Sequence, residues 1–139
     1  MERLDLVLKW AGAFTTSAVT YLYGGWSAIL GVLLVFVAID YASGVAAAGK
    51  HGELKSRVGL WGIAGKVFIF AMVAAGHLID SILGDSHMFR DTIIYFYLAN
   101  ELLSIIENGG KLGAPIPPVI KKAVEVLQGK GGVSDDHRN

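Results

Sequence analysis

Residues 40–66 of the chain read DYASGVAAAGKHGELKSRVGLWGIAGK, a stretch rich in glycine that contains four basic side chains. Residues 10–39 before it contain no Asp, Glu, Lys or Arg, and residues 67–79 after it contain none either, although His77 could carry a charge. A short basic link between two apolar runs of membrane length is typical of a hairpin turn outside a lipid bilayer. The stretch therefore predicts a membrane-spanning helix on each side of it.

The composition of the 139-residue chain also favours an integral membrane protein. Hydrophobic residues make up 53% of it and charged residues only 17%, with a mean hydropathy of +0.52. A soluble domain has about 25% charged residues. The formal net charge is zero, so there is no basic excess that would indicate a nucleic-acid partner. The chain has no cysteine and its four histidines are scattered, so we predict no metal site and no cofactor.

The pattern predicts an all-α integral membrane protein with three to four transmembrane helices and a short C-terminal amphipathic helix. The predicted helices cover about residues 4–22, 26–48, 58–83, 88–108 and 119–127. We expect the first helix to be retained rather than cleaved as a signal peptide, and either to span the membrane or to lie on its surface. The predicted organisation has an N-terminal apolar helix at 1–24, a transmembrane core at 25–110, and an amphipathic helix with a disordered tail at 111–139.

Basic residues near helix ends predict the orientation, because such residues stay on the cytoplasmic side. The central link and the C-terminal region after residue 110 are rich in lysine. The two turns predicted at the opposite ends of the helices, at residues 24–25 and 84–90, contain a single Lys or Arg, which is Arg90. The preferred topology has four crossings with both ends in the cytoplasm. The alternative has three crossings and a first helix on the membrane surface.

Polar residues at membrane depth form the candidate functional site. Asn100, Ser104 and Glu107 share one stripe of the fourth helix, and Glu101 and Asn108 lie beside it. A carboxylate at the bilayer centre costs about 2.5–3.5 kcal/mol, so these side chains should face protein or water rather than lipid. One interpretation is an oligomer interface or the lining of an aqueous pore. The other is a local ion pair with Lys66 that only stabilises the fold.

Other residues leave similar alternatives. Asp40 is either part of this site or an interfacial side chain that is solvated or locally capped, and Lys66 either joins the site or extends to the cytoplasmic interface. His77 is interpreted as a packing residue. Four glycines are predicted to allow close helix packing, and they are Gly44, Gly62, Gly65 and Gly76. No nucleophile–base set with suitable spacing is present in the sequence, so we expect no enzymatic activity.

Three blocks of sequence resemble the phage-lysis and toxin-secretion holins of Gram-positive bacteria and their phages. The first is Asp40-Tyr41-Ala42-Ser43-Gly44, and the second is Ser56-Arg57 followed by Gly59, Gly62 and Lys66. The third and most specific is Asn100-Glu101-x-x-Ser104-Ile105-x-Glu107-Asn108, followed by Pro115-Ile116-Pro117. Ser43 stands where the family often has threonine, and Val67 follows Lys66 where a second basic residue is common.

The resemblance implies a multi-pass protein of the bacterial host's cytoplasmic membrane that forms homo-oligomers. Such a protein opens timed lesions that release an endolysin, or in some members a toxin, as cargo without stable binding, and the host cell lyses. Two alternatives from other classes remain at this point: a small ion-conducting channel or transporter, and a non-conducting membrane scaffold.

Overall fold

The computed structural model of the chain describes residues 1–84 and 86–127, apart from the side chains of Val58 and Leu127. This part of the chain forms five α-helices: α1 (Glu2–Tyr23), α2 (Ala28–Lys50), α3 (Ser56–Leu83), α4 (Met88–Lys111) and α5 (Pro118–Leu127). The prediction of an all-α fold is confirmed. The predicted disordered tail begins beyond α5 and lies outside the described residues.

Local sequence explains where several helices begin and end. Gly24 and Gly84 follow α1 and α3 with φ of 72° and 115°, in a left-handed region where any side chain would be strained. The hydroxyl of Ser27 accepts the N–H of Leu30 at 3.3 Å and so caps the first turn of α2.

The end of α4 differs from the prediction. The sequence predicts that the glycine pair after residue 108 ends this helix, and that prediction is wrong, because the helix continues through Gly109 and Gly110 to Lys111. A glycine lowers helix stability by about 1 kcal/mol but causes no clash. The lack of a side chain at Gly110 lets Ile116 pack closely against the helix, because a Cβ added to Gly110 would lie 3.4 Å from Cδ1 of Ile116. The chain turns instead at Gly113, where φ is 86°.

α4 is the central helix of the bundle. It packs extensively against α2 and α3, whereas those two helices touch each other little; α1 packs on α3, and α5 packs on α4. The core lies where the three central helices meet. Its buried side chains are Leu30, Leu33 and Val37 of α2, Ile69 and Val73 of α3, and Ile94 of α4.

Two helices of the described chain are long and apolar enough to cross a membrane. They are α2 over Ala28–Lys50 and α3 over Gly59–Leu83. Both carry large apolar side chains on their outer surfaces, such as Val35 at 55% exposure and Phe68 at 60%. Continuous apolar surface of this kind is rare on a soluble monomer and is normal in contact with lipid. α1 and α4 do not reach the same level of hydropathy over a span, so three to four crossings remain a prediction.

α1 is held only at its C-terminal end. It has no buried residue, and residues 1–17 are all exposed. The hydroxyl of Tyr23 donates to the carbonyl of Phe70 at 3.2 Å, and Arg90 Nη1 donates to the carbonyl of Tyr23 at 2.8 Å. The prediction that α1 either spans the membrane or lies on its surface is therefore not resolved by packing within the chain.

Candidate functional site

A buried ion-pair group joins the three central helices. Lys66 of α3 donates from Nζ to Glu101 Oε2 of α4 at 2.8 Å, and it also binds the carboxylate of Asp40 in α2. Asp40 is 5% exposed and Glu101 only 1%, while the side chain of Lys66 keeps 23% exposure. One cation therefore bridges two buried carboxylates that come from different helices.

Asn108, which also belongs to α4, completes the group. Its Nδ2 donates to Asp40 Oδ1 at 2.9 Å, to the Asp40 carbonyl at 3.2 Å and to Ser43 Oγ at 3.0 Å. Glu101 and Asn108 are two turns apart, so both point from α4 toward α2 and α3. Asp40, Ser43, Lys66, Glu101 and Asn108 are together called the buried polar cluster below.

The buried charges of this cluster depend on one another for their stability. A buried charge is tolerated when it is paired and its remaining hydrogen-bonding capacity is used, and here each carboxylate has the ammonium of Lys66 as a partner. Because the partners come from α2, α3 and α4, the cluster specifies both the rotation and the height of these helices relative to one another. We infer that it ties the central helices into one body.

A cleft of about 260 Å³ opens beside the cluster. Lys66, Ser104 and Asn108 line it together with Glu53 and Lys55 of the α2–α3 link. Lys66 also lines a second, apolar cleft between Leu34 of α2 and Val67 of α3. The partial exposure of Lys66 therefore lies beside these two clefts, whereas Asp40 and Glu101 are buried.

The structure shows which partners the charged residues have within one copy of the chain. Glu101 pairs with Lys66, as the local-pairing interpretation held. Asp40 is buried rather than solvated at an interface, and Lys66 turns inward to the two carboxylates instead of extending along the outer surface. Whether these residues also line a pore or an oligomer interface remains a prediction.

The polar stripe of α4 divides into two groups. Glu101 and Asn108 are buried, whereas Asn100 is exposed and lies on the outer side of the helix. Ser104 is half-buried at the cleft, and Glu107 is half-buried with an ion pair to Lys111 at 3.4 Å. The stripe predicted from periodicity thus combines an inward-facing group with an outward-facing amide.

The four predicted packing glycines have different surroundings. A Cβ on Gly76 would lie 2.7 Å from Cδ1 of Ile93 in α4, so the two helices approach closely there. A Cβ on Gly44 would lie 3.4 Å from Nδ2 of Asn108, and one on Gly62 would lie 3.7 Å from the ring of Tyr41. Gly65 is exposed, and no described atom lies within 4 Å of the corresponding position. Gly44 and Gly76 therefore set the approach of α4 to α2 and to α3.

A second polar group, which the sequence did not reveal, lies at the opposite end of the bundle. The two oxygens of Asp80 each accept a backbone N–H of α4, from Phe89 and Arg90, at 2.9 Å. His77 is buried and stacks on His87 with the ring centroids 6.2 Å apart. Asp80 thereby takes the place of a helix cap, because its oxygens satisfy free N–H groups in the first turn of α4. The only sequence signal was an acidic residue shortly before the turn at Gly84.

The part of the chain that the structure describes contains no group of three His, Asp or Glu side chains suited to a metal ion. The buried carboxylates of Asp40, Asp80 and Glu101 are paired across helix contacts. The arrangement can hold helices in register and can present an amide on an apolar outer surface.

Comparisons with known proteins cover most of the chain. The bacteriophage holin family matches residues 17–129. An uncharacterized protein of Halalkalibacterium halodurans is 45% identical over 131 residues, which cover 91% of this chain and 97% of that protein. An uncharacterized protein of Listeria monocytogenes is 39% identical over 133 residues, covering 96% of this chain and 95% of its own length. A protein of Bacillus phage phi105 named probable holin is 36% identical over 108 residues, 78% of this chain and 79% of that protein. No solved structure matches the chain significantly.

Proposed function

Because the chain belongs to the bacteriophage holin family, we propose that it oligomerises in the bacterial cytoplasmic membrane and opens timed lesions there. The lesions release an endolysin, or a toxin, as cargo that is not stably bound, and lysis of the host follows. The observation that carries this proposal is the division of the α4 stripe, with Asn100 exposed on an outer surface and Glu101 sealed inside.

The proposed topology has four crossings with both termini in the cytoplasm, and a surface-bound α1 is its alternative. The ends of α2 and α4 lie together, since Lys50 Nζ donates to the carbonyl of Leu112 at 3.2 Å and His51 Nε2 lies 3.2 Å from the carbonyl of Lys111. The basic residues of the central link and of the C-terminal region therefore share one end of the molecule. This agrees with the rule that basic loops remain in the cytoplasm.

Asn100 is the residue that we assign to contacts between copies. It lies midway along α4, and its amide would face hydrocarbon if a single copy were surrounded by lipid. An amide in hydrocarbon without a hydrogen-bond partner is unfavourable by several kcal/mol, so another copy or an aqueous lumen should take up this face. Glu107, two turns farther along α4, continues this face toward the proposed cytoplasmic end, whereas Ser104 lies at the cleft beside the buried polar cluster.

The buried polar cluster has a different role in this proposal. Its ion pairs are internal to one copy, so they keep α2, α3 and α4 together while the outer face of α4 changes its surroundings. The subunit can then move from lipid to a subunit contact as one body. Lesion opening would need rearrangement between copies rather than unfolding within a copy.

Asn100→Leu tests the proposal, with Thr92→Leu as a matched control on the same helix. Both positions are exposed, and both changes replace a polar side chain by leucine. Each variant is co-expressed with an endolysin in a bacterial host, and lysis time, membrane potential and chemically cross-linked oligomers are measured. We expect Asn100→Leu to reach the membrane at normal levels, to form fewer oligomers and to delay lysis, while Thr92→Leu behaves like the native chain.

A native oligomer ladder and a native lysis time for Asn100→Leu would contradict the assignment of this face. The size of the lesion separates the proposal from the channel alternative. Endolysin activity outside the membrane supports a lesion, whereas ion-selective currents without endolysin release would support a small channel.

A further inference from the structure

α5 has a wide apolar face, and only part of it packs against the chain. Val124 is 8% exposed and lies in the contact with α4. Val119 is 80% exposed and Val126 is 58% exposed, and Ala123 between them is exposed too. These three residues are spaced by four and three positions, so they form one strip on the side of α5 that is turned away from α4. We call Val119, Ala123 and Val126 the outer strip.

The outer strip lies near the end of the bundle at which α2 ends. α2 is one of the two helices that can span a membrane, and it ends at Lys50. Lys50 contacts the carbonyl of Leu112, and the chain then turns at Gly113 and enters α5 at Pro118. Ile116 packs back against the last turn of α4, so α5 stays close to that end of the bundle. If α2 crosses the membrane, the lipid headgroups around its end are therefore the part of the membrane that lies nearest to the outer strip.

One basic side chain flanks the outer strip. Lys122 is exposed and lies one turn from both Val119 and Val126, whereas Lys121 lies on the side of α5 that faces α4, in a cleft that Val124 and Glu107 also line. A lysine can lay its apolar stem along a lipid surface while its ammonium reaches a phosphate. An apolar strip edged by a lysine suits a helix that lies in the plane of an anionic membrane surface.

We propose that α5 is an interfacial helix whose outer strip inserts into the headgroup region of anionic lipids, on the membrane face where α2 ends. A second copy of the chain fits the strip less well, because three small or medium side chains offer far less than the roughly 800 Å² per partner of a stable interface. Lipid needs no such area here, since the chain already holds α5 beside the bilayer. This inference depends on α2 crossing the membrane and not on the formation of lesions.

Single-cysteine labelling of the full chain tests the proposal, since the native sequence has no cysteine. Val119→Cys and Val126→Cys each carry a polarity-sensitive fluorophore on the outer strip. Glu125→Cys is the matched control on another face of the same helix. The labelled chains are reconstituted into vesicles of phosphatidylcholine alone or of phosphatidylcholine mixed with phosphatidylglycerol, and quenching by lipids with headgroup nitroxides is measured.

We expect a blue shift and quenching at both strip positions in the phosphatidylglycerol vesicles, and a much smaller response of the control. Changing Lys122 to glutamine in the Val119→Cys background should lower the docking equilibrium on the order of fivefold, whereas the same change at Lys121, on the side that faces α4, should lower it less. High salt should weaken docking in the same way.

Two results would overturn the proposal. The first is water-like emission at both strip positions in both lipid mixtures, without any response to the lysine changes. The second is efficient disulfide formation between copies through Val119→Cys in the absence of lipid quenching, which would identify a second copy as the occupant of the strip.

Discussion

Replacement of Lys66 by methionine tests the energetics of the buried polar cluster most directly. Methionine keeps the length and the apolar stem of the lysine but removes the ammonium group. The carboxylates of Asp40 and Glu101, which are 5% and 1% exposed as residues, would then face each other without a cation. We expect a large loss of stability, because the charge of a buried pair is left uncompensated when one partner is removed.

The size of the expected stability loss follows from the burial of Asp40, Lys66 and Glu101. Removal of one partner of a buried ion pair costs about 3–5 kcal/mol. The side chain of Lys66 retains 23% exposure, so the burial of the ion pairs is incomplete and the cost of breaking them is reduced. We therefore expect the free energy of unfolding to fall by about 3 kcal/mol, at the lower end of that range.

The measurement is unfolding of the detergent-solubilised chain, followed by tryptophan fluorescence during denaturant titration. The matched control combines Lys66→Met with Asp40→Asn and Glu101→Gln, so that no charge remains at the site. We expect the control to recover most of the lost stability, because neutral polar groups of similar shape can hydrogen-bond to one another. A loss below about 1 kcal/mol for Lys66→Met would show that the pairs behave like exposed ion pairs and would refute the argument. An equal loss in single variant and control would refute it as well.

Two further predictions concern helix packing and capping. Gly76→Ala places a Cβ 2.7 Å from Ile93 and should destabilise the chain by about 1–2 kcal/mol in the same unfolding assay, since overpacking exceeds the gain in helix propensity. Gly65→Ala, on the open side of the same helix, should leave stability unchanged or raise it by up to about 1 kcal/mol, and an equal loss in both variants would contradict the close approach at Gly76. Asp80→Ala removes the carboxylate that accepts two N–H groups at the start of α4 and should cost about 1–2 kcal/mol, with faster amide hydrogen exchange confined to the first turn of α4. Exchange at native rates in that turn would show that the cap contributes little.

The helices could be predicted from the sequence because the residues that form each helix lie within it or next to it. The apolar runs and the charged link between them lie within the helices that they predict or directly beside them. The end of α4 was misjudged because Gly109 and Gly110 are compatible with a helix when another segment covers them, and the contact of Ile116 with Gly110 comes from the later turn. A glycine pair alone does not carry that information.

The candidate site was predicted in its composition but not in its arrangement. The sequence singled out Asp40, Lys66, Glu101 and Asn108, and the structure brings all four together. It separates Asn100 from them, although Asn100 and Glu101 are adjacent. Adjacent residues on a helix point about 100° apart, so a small rotation of α4 about its axis determines which of the two faces inward.

Apolar runs are enough to predict an all-helical membrane protein, because hydrophobic transfer acts along each segment separately. The basic residues predict an orientation in the same segment-by-segment way, and that orientation stays a prediction. The pairing of polar groups required the tertiary structure. Close approach at Gly44 and Gly76 sets the rotation of α4, and that rotation turns Glu101 toward Lys66 and leaves Asn100 on the outside. The contacts that set it join residues far apart in the chain, so no local pattern contains them.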